Sequence, residues 1–485
     1  MPQEIAIIGS GFSSLSAACY LAKAGNKVTV YEKNNTIGGR ARQLKKDGFT
    51  FDMGPSWYWM PDVFERFFND FGKKTVDYYD LIKLSPAYRV YYGINDFVSI
   101  ADNLEEIIAT FESIEKGSGK KLEAFMAKAK SNYDIAIKDL VYRPGVSPLE
   151  LITLETAKKI DQFFSTISKD VKREFKNQRL IQILEFPVLF LGAKPSKTPS
   201  FYSFMNYADF GLGTWHPKNG MFDVVKAMEN LALELGVKFE FNANVNKIVV
   251  EEGKAIAIVI NNSRVEADVI LSGADYHHSE TLLDDEFRMY SEKYWDSRVF
   301  APSSLLFYVG FNRKIENISH HALFFDVDFD QHARDIYDEP KWPAEPLFYA
   351  NFPSITDQSA APEGMESGFF LIPLAPGIED TPALREKYFD KIIDRFETLT
   401  SQKVKNNIIF KESFCKNDFV SDYNSYKGNA YGMANTLLQT AFLRPKLKSK
   451  KVKNLYFTGQ LTVPGPGVPP ALISGKLVSE LIKKN

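Results

Sequence analysis

Three groups of residues near the start of the chain have the types and spacing to hold a nucleotide. Gly9-Ser10-Gly11-Phe12-Ser13-Ser14 follows an apolar run, Ile5 to Ile8, and opens a stretch of helical spacing. Gly9 permits a tight turn and Gly11 lets a pyrophosphate approach the backbone. A helix starting there adds unpaired N–H groups and a positive field. Ser14 stands at the third glycine position, where close helix–strand packing wants little side chain. Glu32, twenty-three residues after Gly9, ends the next apolar run and is placed to accept from an adenosine ribose hydroxyl, while its charge disfavours a 2′-phosphate. Ile37-Gly38-Gly39-Arg40-Ala41 then offers a second close pass of the backbone, with Arg40 either a forked phosphate donor or a surface ion pair. That second pass argues for FAD over NAD. A glycine-rich turn packing a plain α/β unit is the alternative for the whole set.

Other chemistry is poorly represented. The two cysteines, Cys19 and Cys415, are far apart and outside any metal or redox spacing. His277-His278, His216, Asp209 and Glu185 flank apolar or aromatic segments and read as ordinary caps or paired polar groups. No Ser/His/Asp, Cys/His or H-E-x-x-H arrangement is found, and no catalytic base is assigned.

These residues need elements to position them. Residues 4–8 and 27–32 read as strands around a helix at 13–24, a β-α-β unit with a right-handed crossover and a parallel sheet. Residues 63–191 read as mostly helical, and 221–235 as an amphipathic helix closed by Gly236. Strands at 237–241, 246–251 and 255–260 form a meander, and 265–271 re-enters the first sheet before Ser272-Gly273-Ala274-Asp275. A helix is expected near 383–397. Leu455-Tyr456-Phe457-Thr458-Gly459 is a last strand, followed by a proline-rich turn and a helix at 470–483. The fold class is α/β. A Rossmann-like FAD-binding domain is assembled from discontinuous segments 1–70, 215–290 and 425–485. The inserted substrate region of mixed sheet and helices comprises a largely helical, membrane-facing part, 71–214, and a mixed part, 291–424.

The chain has 485 residues, 59 Lys plus Arg against 61 Asp plus Glu, and a net charge of −2, which gives no support to nucleic-acid wrapping. No run of about 18 uncharged apolar residues suggests a transmembrane span, and the opening residues lack the basic and apolar regions of a secretory signal. Thirty-nine Phe, 23 Tyr and 5 Trp are many, and fit either a large core or an apolar cavity walled by rings.

Gly9-x-Gly11 with Glu32, Gly38-Gly39-Arg40-Ala41, Phe51-Asp52-Met53-Gly54-Pro55-Ser56, and the terminal Tyr456 to Gly459 with Pro464-Gly465-Pro466-Gly467-Val468-Pro469 together resemble the bacterial phytoene-desaturase type of carotenoid desaturase. That group lies within the flavin amine-oxidase-like superfamily and includes dehydrosqualene and 1-hydroxycarotenoid 3,4-desaturases. The resemblance covers nearly the whole chain. It implies non-covalent FAD held at Gly9, Gly11, Ser14, Glu32, Gly39, Arg40, Gly54, Pro55 and Ser56. Val245 is implied on the adenine side, Asp275 in the returning segment, and Gly459, Gln460, Gly467 and Val468 in a closing loop. Departures are Ser13-Ser14 for glycines, Gln460-Leu461 for small residues, Pro466 for a glycine, and Asn219-Gly220 for a glycine pair.

The activity it implies is desaturation of a long acyclic polyene, by hydride transfer to flavin N5 and proton loss, with oxygen or a quinone as acceptor. Trp57-Tyr58-Trp59-Met60, Phe186 to Leu191 and Phe201 to Tyr207 are expected to wall the passage for it. Such a substrate implies a monotopic protein on the cytoplasmic side of a membrane, and residues 169–179, which interleave Lys172, Arg173, Lys176 and Arg179 with Val171 and Phe175, are the candidate contact or else a solvated helix. An amine oxidase, a carotenoid ketolase or isomerase, a saturase, and a non-enzymatic carrier of prenylated proteins are the alternatives on this scaffold.

Overall fold

Five short runs, four of them largely apolar, gathered from both ends and the middle of the sequence, pair into one parallel sheet. Its order is Leu455–Phe457, Val269–Ser272, Glu4–Ile8, Lys27–Tyr31, Lys238–Glu240, and each pairing is parallel. The computed structural model describes residues 2–151 and 153–484. Because side chains alternate along a strand, Ile5 and Ile7 pack toward one layer and Ala6 and Ile8 toward the other. The first layer is helical: Phe12–Lys23, Met221–Glu234 and Val468–Lys483. The second is an antiparallel meander, Val245–Glu251, Lys254–Ile260 and Ser263–Glu266. Both sheet faces are therefore covered, as a parallel sheet requires.

A seven-stranded sheet forms the other half of the molecule, in the order Ile408–Phe414, Ser303–Phe311, Glu366–Leu374, Phe348–Asn351, His321–Phe324, Tyr88–Gly93, Asp96–Ile100. Its alternate residues also divide. Phe307 and Phe370 pack on Ile392 and Phe396 of helix Pro382–Thr400, while Leu306, Leu323, Tyr349 and Leu371 line a cavity on the opposite face.

Four expectations are corrected. The strand at 237–241 is not part of the meander: Lys238–Glu240 is the edge of the parallel sheet beside Lys27–Tyr31, and the meander's third strand is Ser263–Glu266. The stretch 63–191 is not simply helical, since Tyr88–Gly93 and Asp96–Ile100 leave it to join the large sheet, and Leu81–Lys83 pairs with Trp215–Pro217. Residues 265–271 are the ends of two strands, Ser263–Glu266 and Val269–Ser272, not one. Residues 169–179 present no apolar face, because Val171, Phe175 and the following Leu180 are all fully buried. Their basic side chains cover a core rather than flanking a membrane-seeking stripe. No helix among the described residues is long and apolar enough to cross a membrane.

Candidate active site

The turn after Glu4–Ile8 is the site's first component. Gly9 takes φ +86° and donates its N–H to the Tyr31 carbonyl at 2.8 Å, tying the turn to the neighbouring strand. Gly11 starts helix Phe12–Lys23 with no side-chain cap, and a Cβ there would meet nothing within 4 Å. The open space beside it belongs to a cavity of about 870 Å³. A Cβ on Gly39 would lie 3.4 Å from Gly11 Cα, so the two glycine segments cross at close range.

Glu32 is buried at the end of Lys27–Tyr31, on the cavity wall. One carboxylate oxygen accepts from Ser10 N at 2.9 Å and Ser10 Oγ at 2.7 Å, the other from Asn34 N at 2.9 Å. Arg40 stands opposite, half-buried with its Nε fully covered. Its Nη2 donates to Ser425 Oγ at 3.0 Å, its guanidinium lies 5.2 Å from the Tyr423 ring centre, and Nε has no partner. Burial pulls its basicity down, with Asp275 partly restoring it. Arg40 makes no ion pair within 4 Å among the described residues. A half-buried fork of donors without a counter-ion, beside an open cradle, suits a phosphate.

Gly54, Pro55, Ser56, Val245, Asp275, Gly459, Gln460, Gly467 and Val468 all line this same cavity. Asp275 caps the short helix Tyr276–Thr281 through His277 N and also accepts from Tyr426 N at 3.4 Å. The closing loop is fastened from behind by Arg444, whose Nη1 donates to the Gln460 carbonyl at 3.1 Å and Nη2 to the Met433 carbonyl at 2.8 Å.

Ser14 is the exception. It does not line the cavity but is fully buried between helix and sheet, and a Cβ on Gly273 would fall 1.9 Å from its Oγ. The glycine missing at position 14 has in effect moved across the interface to position 273. Ser13, one residue earlier, is on the cavity wall. Gly475 was not found from the sequence. A Cβ there would sit 2.4 Å from the Ser13 carbonyl oxygen, and Ser16 Oγ donates to the Leu472 carbonyl at 2.7 Å, so helix Val468–Lys483 lies directly on helix Phe12–Lys23. A lone glycine inside a helical pattern was the available signal.

Beyond the Gly54 to Ser56 turn the cavity becomes aromatic. Trp57 packs 5.3 Å from Trp59 and 5.6 Å from Phe186, and Trp59 lies 5.0 Å from Phe190. Tyr58 faces away, into a stack with Phe64. The passage continues past Phe201, Tyr202 and Phe204 to a rim at Ser147, Glu150, Leu437 and Leu438. The polar candidates lie mostly behind the wall. Glu185 is buried with one oxygen unpartnered. Asp209 accepts from Tyr88 Oη at 2.7 Å, its second oxygen is unpartnered, and burial raises its carboxyl to about 8. His277 pairs with Glu292 at 3.0 Å. His278 is on the wall, its imidazole pulled down to about 4 by burial. Among the described residues no cluster could hold a metal ion.

The description "flavin containing amine oxidoreductase" belongs to the family model that matches residues 12–483. The chain is 40% identical to a carotenoid 3,4-desaturase from Haloarcula japonica, covering 99% of this chain and 98% of that protein. It is 33% identical to a 4,4'-diapophytoene desaturase (4,4'-diaponeurosporene-forming) from Staphylococcus haemolyticus, covering 98% of both. Among solved structures, an oxidoreductase from Methanosarcina mazei shares the fold with a TM-score of 0.61 at 16% identity, covering 98% of this chain and 99% of that one. With a cradle, a closing loop and an aromatic passage in one cavity, and with kinship along its whole length to carotenoid desaturases, the chain belongs to the flavin-containing amine oxidoreductase family.

Proposed function

We propose that the chain is an FAD-dependent carotenoid desaturase acting on a long acyclic polyene, with 3,4-desaturation of a carotene end, as in the Haloarcula japonica relative, the favoured reaction. The observation that carries this reading is the continuity of one cavity from the glycine cradle into the aromatic passage. Gly9, Gly11 and Gly39 leave room for a pyrophosphate, Arg40 offers it unmatched donors, and Glu32 is at hand for the ribose. Gly54 to Ser56, Val245, Asp275 and the loop Gly459, Gln460, Gly467 and Val468 would close around the remainder.

FAD, when bound, supplies an acceptor for an allylic hydride. The chain's own part is to lay the polyene against the turn at Gly54 to Ser56, to exclude water with Trp57, Trp59 and Phe186, and to accept a proton. Attachment would be non-covalent. Cys19 is buried off the cavity with its thiol raised by burial, and Cys415 is likewise off it, pushed up to about 12 by burial.

The rim supports a membrane contact at a site other than residues 169–179. Leu149, Leu154, Phe164 and Leu438 are 71%, 80%, 77% and 75% exposed, beside cavity-lining Glu150, Phe163 and Leu437. A monotopic protein resting this patch in the interface, on the cytoplasmic side, would draw the polyene straight from the bilayer. Pigment chromatography after co-expression with acyclic carotene pathways tests the reaction. New, longer-wavelength pigments with terminal double bonds are expected. Unchanged pigments across the panel reject a desaturase.

A further inference from the structure

Three of the chain's six histidines, the adjacent pair His320-His321 and the distant His216, pack ring against ring behind the aromatic passage. The ring centres of His216 and His320 are 4.6 Å apart, and those of His320 and His321 also 4.6 Å. All three are buried, and in each the Nε2 atom has no hydrogen-bond partner among the described residues. His216 Nε2 comes within 3.6 Å of Asp357 Oδ2, a charge contact beyond hydrogen-bond length. Buried polar atoms are nearly always paired, so three orphaned nitrogens in one place mark a working cluster or the seat of bridging water.

The cluster connects the cavity to the surface. On the cavity side, Tyr349 Oη lies 2.7 Å from His321 Nδ1 and 2.9 Å from Ser56 Oγ, and both Tyr349 and Ser56 are on the wall. Trp57 stacks flat on the His321 imidazole at 4.0 Å and 9°, which fixes the ring plane. On the other side, His320 Nδ1 meets Thr356 Oγ1 at 2.9 Å, and Asp357 accepts from exposed Ser359 Oγ at 2.6 Å.

We infer that this row of groups carries away the proton released in desaturation, with Tyr349 as the residue that receives it. The inference rests on the desaturase reading above. As the hydride leaves one carbon for the flavin, the neighbouring C–H bond gives its electron pair to the new C=C bond and its proton to Tyr349 Oη. The Tyr349 hydroxyl proton passes to His321 Nδ1, and the proton on His321 Nε2 leaves through water bridging the unpartnered Nε2 atoms of His321, His320 and His216 toward Asp357 and solvent. The two electrons stay with the reduced flavin, so charge and atoms balance.

The electrostatics favour outward transfer. Burial holds the His320 and His321 imidazoles well below their ordinary basicity, so neither retains the proton. Burial alone would raise the Asp357 carboxyl, but His216, Ser359 and the Asn219 amide outweigh it and keep it well below the carboxylate range. The other titratable groups facing the row are Asp52, raised to about 6 by burial and facing His216, with Asp223 near Asp357 and Tyr431 near Tyr349.

The test uses holoenzyme and the variants Tyr349→Phe, His320→Gln and His321→Gln. Flavin content should match wild type, while product formation falls by about 10²-fold for Tyr349→Phe and His321→Gln and the solvent deuterium effect disappears. In His321→Gly, added imidazoles should restore turnover in order of their basicity. Restoration independent of basicity would mean that the ring only fills space and would overturn the inference, as would Tyr349→Phe within about threefold of wild type. Ring-nitrogen NMR needs no substrate: Tyr349→Phe should shift His320 as well as His321, and a His320 that does not respond breaks the row. Wild type that converts no acyclic carotene rejects the desaturase reading instead, a result separable from the NMR outcome.

Discussion

At position 11 a side chain would enter empty space, while at position 475 it would enter another helix. Gly11 has φ −71°, open to any residue, and its missing Cβ points into the cavity. Gly11→Val should therefore fold with a near-normal melting temperature yet retain no flavin after gel filtration. Gly475→Val puts atoms against the Ser13 carbonyl and Ala17 N, and should cost at least about 2 kcal/mol in a urea titration, with flavin lost only as the fold loosens. Asp209 gives a pH signature. Its folded carboxyl, about 8 against an ordinary 3.8, binds a proton that the unfolded chain has released. The folded state thus holds more protons between about pH 4 and 8, and this group's contribution to stability is lost as pH rises through that window. Asp209→Asn should flatten the decline in urea midpoint from pH 5 to pH 8 relative to wild type. Of these residues the sequence made Gly9, Gly11 and Glu32 legible, because a turn, an approach and an acid at fixed offsets have a local cause. The exchange between Ser14 and Gly273 had none, since it joins positions 259 residues apart.

Elements with a strict period were read well, and elements whose environment lies elsewhere were not. Strand Glu4–Ile8 and helix Met221–Glu234 carry their own patterns, and the structure reproduces them within a residue. Tyr88–Gly93 forms a local hairpin with Asp96–Ile100 but alternates only in part, and its other partner, His321–Phe324, comes more than 200 residues later. The two readings of the basic stretch 169–179, membrane contact or solvated helix, stayed open for a related reason: spacing identifies an apolar stripe but not whether core or solvent meets it, and the buried Val171 and Phe175 favour the solvated helix. Short helices Leu154–Ala157 and Ile160–Phe164 have too few residues for a period, yet hold Leu154, Ile160 and Phe164 outward, at 80%, 60% and 77% exposure. Leu154→Glu, Phe164→Glu and Leu438→Glu combined should cut liposome co-sedimentation by at least tenfold, because burying each apolar side chain is worth roughly 1.5–3 kcal/mol. Melting should be unchanged. Removing the charges of Lys172, Arg173 and Lys176 should alter sedimentation far less, and a larger effect there would restore the helix as the contact.

Across the whole molecule, two sheets share one cavity, the parallel sheet offering a nucleotide cradle and the seven-stranded sheet an apolar wall. The strands of the parallel sheet all fall within 1–70, 215–290 and 425–485, the segments we propose as one domain, and the strands at residues 88–100 pair into the seven-stranded sheet with strands from 303–414. This arrangement also bears on how electrons leave. The Gly9-x-Gly11 turn between strand Glu4–Ile8 and helix Phe12–Lys23 is the cradle assigned to FAD. An NAD⁺ acting as acceptor would need the same cradle or the passage, whose walls are aromatic and aliphatic rather than phosphate-binding. A quinone is apolar, lives in the same bilayer as the substrate, and can enter by the rim at Leu437 and Leu438. Oxygen needs no site at all. Flavin reduced anaerobically by a matched carotene should therefore be reoxidised on admitting oxygen or a quinone in vesicles. Added NAD⁺ should leave it reduced. Stopped-flow absorbance reads all three arms, and stoichiometric NADH formation would require a nucleotide site besides the Gly9-x-Gly11 cradle.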